Sequence, residues 1–141
     1  MMTVPAAVWL LLSGPAAAQV RDMQGEWKTV DDRSGEIRST VRIYQAGDGL
    51  YYGKIEKMHK YADAVCDRCE GDNKNKPVLG MVIIAGMKAE GDVLKGGTVL
   101  DPESGKTYYG TIRIDRKSGK LLLRGSLDKR GLFGRTQYWI R

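Results

Sequence analysis

Two cysteines, Cys66 and Cys69, are the only ones in the chain, and their Cys-x-x-Cys spacing allows three chemistries. A thioredoxin-type redox pair needs the motif at the start of a helix, where the dipole lowers a thiol pKa. Here the motif opens a polar loop, Glu70-Gly71-Asp72-Asn73-Lys74-Asn75-Lys76, so redox catalysis is disfavoured. A zinc site needs four ligands, and no second cysteine pair is present to complete one. A structural disulfide in an oxidising compartment is the reading that remains. Closing so short a loop contributes roughly 2 kcal/mol before strain, so its main role is to pin a loop. His59, the only histidine, lies just upstream. No nucleophile or paired carboxylate stands at a useful spacing from it, and it reads as a solvated loop residue rather than an acid or base. Most carboxylates fall in turns. Glu26 and Glu56 lie on strand segments, but no spacing sets them face to face. No catalytic residue, metal or cofactor is expected.

These residues hang on a regular frame. Asp31-Asp32-Arg33-Ser34-Gly35, Asp101-Pro102-Glu103-Ser104-Gly105, Asp115-Arg116-Lys117-Ser118-Gly119 and similar stretches supply turn residues at intervals near ten. Between them the chain alternates as half-buried strands do. Ile37, Ser39, Val41 and Ile43 share one face, and Tyr108, Gly110, Ile112 and Ile114 share another. About eight segments emerge: 25–30, 37–45, 50–58, 80–88, 93–100, 106–115, 120–126 and 133–140. The one short helix expected lies over 57–64. Eight antiparallel strands in sequence order can close into a barrel, which leaves no free edge.

The N-terminus reads as a leader. Val4 to Leu12 is a short apolar run, followed by Ser13-Gly14-Pro15 and Ala16-Ala17-Ala18. This is the pattern of a secretory signal, too short to span a bilayer. Cleavage is expected between Ala18 and Gln19, leaving 19–141 as one domain exported to the periplasm. The formal charge is +6, scattered through turns and strand faces. It lacks the basic stripe with aromatic platforms of a nucleic-acid binder, and no later run is long enough for a membrane helix.

Several motifs carry a family resemblance. They are Gly25-Glu26-Trp27, Cys66-x-x-Cys69-x-Gly71, Pro77-x-x-Gly80-Met81, Asp101-Pro102-x-x-Gly105-Lys106-x-Tyr108, and Gly134-Arg135-Thr136-Gln137-x-Trp139. In these the chain resembles an exported bacterial family of lipocalin-like barrels catalogued as domain of unknown function 2147. The resemblance implies an all-β, lipocalin-like antiparallel barrel and no catalytic residues. It also implies that Trp27, at the opposite end of the domain from Trp139, packs under an arginine of the last strand. Arg135 is the expected partner.

The function expected is non-catalytic binding of a small molecule, lipidic or anionic in character. The alternatives are an envelope interaction protein with a filled barrel, and an enzyme. The longest connection, His59 to Pro77, should gate a barrel mouth. A ligand is expected to meet the inward members of the pairs Tyr51–Tyr52 and Tyr108–Tyr109, with Lys74 and Lys76 attracting an anionic head group.

Overall fold

Among the described residues, eight strands follow one another around a single antiparallel sheet in sequence order, after an N-terminal helix. The computed structural model describes residues 15–131 and 134–141, with side chains from Gln19 onward. The helix is α1 (Pro15–Asp22). The strands are β1 (Gly25–Val30), β2 (Ile37–Gln45), β3 (Tyr51–Met58), β4 (Val82–Glu90), β5 (Val93–Leu100), β6 (Thr107–Ile114), β7 (Leu121–Ser126) and β8 (Gly134–Trp139). Lys28 and Ile140 exchange backbone hydrogen bonds of 2.6 and 3.0 Å, which brings the last strand against the first. The result is an all-β, nearly closed barrel.

Three of the turns share one construction, set by the Asp-x-x-Ser-Gly sequence. In each, the Asp N–H donates to the residue five positions on, and the Gly N–H returns to the Asp carbonyl. The Asp side chain accepts from the turn as well. Asp31 Oδ1 takes the N–H groups of Arg33 and Ser34 at 2.8 and 2.9 Å. Asp101 and Asp115 accept the hydroxyls of Ser104 and Ser118 at 2.8 and 2.7 Å. Local polar residues thus satisfy the backbone that leaves the sheet.

The strands alternate inward and outward, and their inward residues form the core. Trp27, Val41, Ile43, Tyr51, Ile55, Ile84, Met87, Leu94, Ile112, Leu121, Leu123 and Trp139 are all buried. Packing is tight where Gly110 faces inward. A Cβ there would stand 2.4 Å from Met87 Cε and 2.6 Å from a Val99 methyl, so glycine makes room for both side chains.

Both barrel ends carry a cover. At one end, the floor, α1 packs against β5 and β6 with Val20 and Met23 buried. At the other, the lid, residues 59–81 cross the opening and return to the wall through Ile55 N–H to Met81 O and Gly80 N–H to Ile55 O. The expected helix over 57–64 does not form. Lys57 and Met58 belong to β3, and Tyr61 takes a positive φ of 54° that ends any helical path. The helix that exists, α1, crosses the expected cleavage junction. Residues 1–14 of the expected signal lie outside the described residues. None of the helices among the described residues is long and apolar enough to cross a membrane.

Candidate functional site

Within the lid a disulfide joins Cys66 and Cys69, whose Cα atoms are 5.3 Å apart. Both cysteines are buried, unlike the polar loop around them. Cys66 Sγ lies 3.3 Å from Pro102 O in the β5–β6 turn. In the same turn a Cβ on Gly105 would fall 2.0 Å from Arg68 O, and the backbone there has φ +73°. Only glycine lets the lid backbone come this close. The disulfide therefore presses the lid onto a neighbouring hairpin.

Charges hold the rest of the lid. Arg38 pairs with Asp31 at 2.5 Å and Glu103 at 2.8 Å, and its guanidinium lies over the Tyr61 ring, 5.6 Å from the centroid. Lys60 pairs with Glu36 at 2.5 Å. The backbone N–H groups of Ser34 and Arg33, with Arg38 adding to them, lower the Asp31 pKa to about 2. His59 Nε2 is bonded to Thr40 Oγ1 at 2.9 Å and serves the same junction.

Beneath the lid, the inward face changes character. Toward the floor it is apolar and filled. Toward the lid the inward positions are Thr29, Ser39, Tyr108, Gly125 and Gln137, and all but Ser39 are half-buried. Strand register explains the opening. Gly110, Gly125 and Arg135 form one inward row across β6, β7 and β8, and Ile112, Leu123 and Gln137 form the next. Two of the three positions in the upper row have no side chain, and Tyr108 leans into the space above Gly125, where a Cβ would stand 3.3 Å from its own. Thr29 and Ser39 bond to each other at 2.7 Å, and Gln137 Oε1 accepts Trp139 Nε1–H at 3.3 Å. The Gln137 amide N–H groups and the Tyr108 hydroxyl point at no partner among the described residues, which leaves donors for a guest molecule.

The residues singled out in the sequence divide accordingly. Tyr51 and Tyr108 are inward, whereas Tyr52 and Tyr109 are outward. Tyr52 donates to Asp48 at 2.5 Å and stacks on Tyr44, with ring centroids 6.0 Å apart. Lys74 folds back so that its Nζ donates to Asp67 O within its own loop, and Lys76 is exposed. Neither lysine is brought to the tyrosines. Glu26 and Glu56 do meet, on the outer face, but both pair with Arg42, at 2.8 and 2.7 Å, and act as ion-pair partners rather than as an acid and a base.

Arg135 is not the partner of Trp27. It stands at the lid end of β8 and pairs with Asp32. Arg141 takes the role instead, its guanidinium 4.1 Å from the Trp27 ring centroid. The two arginines stand six positions apart, about 20 Å of extended chain, and Trp27 lies toward the floor. Gln137 and Thr29 were missed in the sequence. Their alternation with Trp139 and Trp27 was the available signal.

Residues 25–141 match the family described as "Uncharacterized protein conserved in bacteria (DUF2147)". Among solved structures, the chain is similar to protein HP1028 from the human pathogen Helicobacter pylori, described as belonging to the lipocalin family. The two share 23% identity over 84% of this chain and 82% of that one, with a TM-score of 0.71. No curated protein matches the chain.

Proposed function

Because the chain belongs to the bacterial DUF2147 family and folds as a lipocalin-like barrel, we propose that it is an exported, non-catalytic binding protein for a small molecule held under the lid. One observation carries this reading: the half-buried inward positions at Tyr108 on β6, Gly125 on β7 and Gln137 on β8, set above a packed apolar floor. A cup that is dry below and lined by a few polar groups above is how small-ligand sites are built. Tyr108 and Gln137 would fix orientation through hydrogen bonds, while Met87 and Leu123 offer apolar surface beneath.

Export to the periplasm belongs to the same proposal. A leader over 1–18 and a buried disulfide suit an oxidising compartment. A second reading, a filled barrel whose outside does the work, draws on the close packing around Gly110.

Titration with the neutral, polarity-sensitive dye N-phenyl-1-naphthylamine separates the two. The dye should brighten at one-to-one stoichiometry. Tyr108→Phe and Gln137→Leu should each alter its affinity little, because it makes no hydrogen bonds, whereas Gly125→Leu should abolish brightening by filling the space. For a natural ligand that does bond to them, each loss should cost about fivefold in affinity. A dye that stays dark favours the filled barrel.

A further inference from the structure

At the floor end, outside the barrel, Gln19, Asp92, Val93, Arg113, Ile114, Asp115, Arg116, Lys117 and Leu122 surround an open groove of ≈ 360 Å³. Gln19, in the middle of α1, stands on one side, and the β4–β5 and β6–β7 turns form the others. The groove has two chemistries. Val93, Ile114 and Leu122 are half-buried apolar side chains at its base. Arg113, Arg116 and Lys117 are exposed at its rim.

These cations are available. Among the described residues, the arginines and lysines held in ion pairs are Arg38, Arg42, Lys60, Lys95 and Arg135, and the groove's three are not among them. The carboxylates of the groove do not cancel them equally. Asp115 accepts Ser118 Oγ at 2.7 Å and Lys117 N–H at 3.3 Å, so its charge is held inside its own turn. The hydrogen bond from Ser118 is the first cause of its lowered pKa and the nearby Lys117 charge adds to it, so Lys117 is partly compensated by Asp115 while Arg113 and Arg116 are not. Asp92, also at the groove, has no hydrogen bond or ion pair from its side chain to another described residue, so its charge is free to offset part of theirs.

We propose that this groove is a second binding site, for an amphiphile with an anionic head group. The head group would lie among Arg113, Arg116 and Lys117, and a short acyl chain would cover Val93, Ile114 and Leu122. The volume sits at the lower end of the range for small-ligand sites, about 300–1,000 Å³, which favours one short chain over a two-chain lipid. Cations above an apolar base match such a ligand at both ends, whereas a bare anion would use only half the surface. The site stands apart from the cup under the lid and does not depend on it.

Calorimetric titration of the full chain with dodecyl phosphate, below its micelle concentration, tests the proposal. Inorganic phosphate and the uncharged dodecyl maltoside are the comparators. Dodecyl phosphate should bind one-to-one and at least about tenfold more tightly than either, and rising salt should weaken it. Arg113→Gln with Lys117→Gln should weaken binding about tenfold or more, and Asp92→Asn should strengthen it a few-fold, with melting temperatures unchanged. Gly125→Leu, under the lid, should have no effect. Binding lost in Gly125→Leu but kept in the arginine–lysine variant would place the amphiphile in the barrel and overturn the site. Phosphate binding as tightly as dodecyl phosphate would overturn the ligand class. An absence of saturable binding would overturn the proposal.

Discussion

Trp27 is 1 % exposed and holds three parts of the molecule at once. Its indole N–H donates to Met23 O at 2.7 Å, which fixes the link from α1 to β1. Its ring carries the Arg141 guanidinium, which also donates to Asp22 O and, at 3.1 Å, to Gln24 O. Trp27→Ala should cost about 3–5 kcal/mol in urea denaturation, the range for truncating a core aromatic. Arg141→Ala should cost about 1–2 kcal/mol through the lost cation–π contact and hydrogen bonds. Arg135→Ala should change stability by no more than about 0.5 kcal/mol, as an exposed substitution does. A larger effect at Arg135 than at Arg141 would reverse the assignment. Asp31 gives a second residue-level expectation. Its pKa falls from 3.8 to about 2 on folding. A lowered carboxylate pKa stabilises the fold above the unfolded value and loses that contribution as pH falls toward the folded value. Asp31→Asn should therefore melt below the wild type at neutral pH. The gap should close between pH 3.8 and about 2, followed as melting temperature against pH.

At the scale of elements, the lid and the strands differ in how they are encoded. The strands were legible because alternation and turn chemistry agree: Ile37–Gln45 and Val93–Leu100 have the bounds their flanking Asp and Gly residues mark. Closure was legible too, from eight hairpin-linked strands in sequence order. The lid was legible only as a long polar connection. Its path depends on contacts far away in sequence, Cys66 against Pro102 and Arg68 against Gly105, which no local pattern announces. The same holds for Arg38 and Tyr61, whose contact replaces the expected helix. α1 was hidden for another reason: Pro15–Asp22 follows an apolar stretch of sequence whose composition pointed to cleavage, not folding. Gly105→Ala tests the lid seating. The added methyl meets Arg68 O and a strained φ, so the disulfide should be reduced and alkylated faster while far-UV circular dichroism stays that of a barrel. Unchanged reduction kinetics would show that the lid is held elsewhere.

Taken whole, the molecule is a barrel with a filled lower half, a covered floor and a polar upper half under a pinned lid. Its +6 charge is mostly scattered, though the groove by the floor gathers three cations. The division of the interior was only half legible. Alternation put Tyr108 on the same face as Gly110 and Ile112, but it could not show that Gly110 is filled by Met87 and Val99 while Gly125 is left to Tyr108. That depends on which side chains cross the barrel, a property of packing rather than of any one strand. The central claim is that the space above Gly125 holds a small molecule. Native mass spectrometry of the protein purified without denaturant from bacterial cells, beside its Gly125→Leu variant, tests this most directly. A discrete non-covalent adduct of small mass should appear on the wild type and be absent from a variant that melts at a similar temperature. The same adduct on both proteins, or a bare wild type that also fails to brighten the neutral dye, would contradict it.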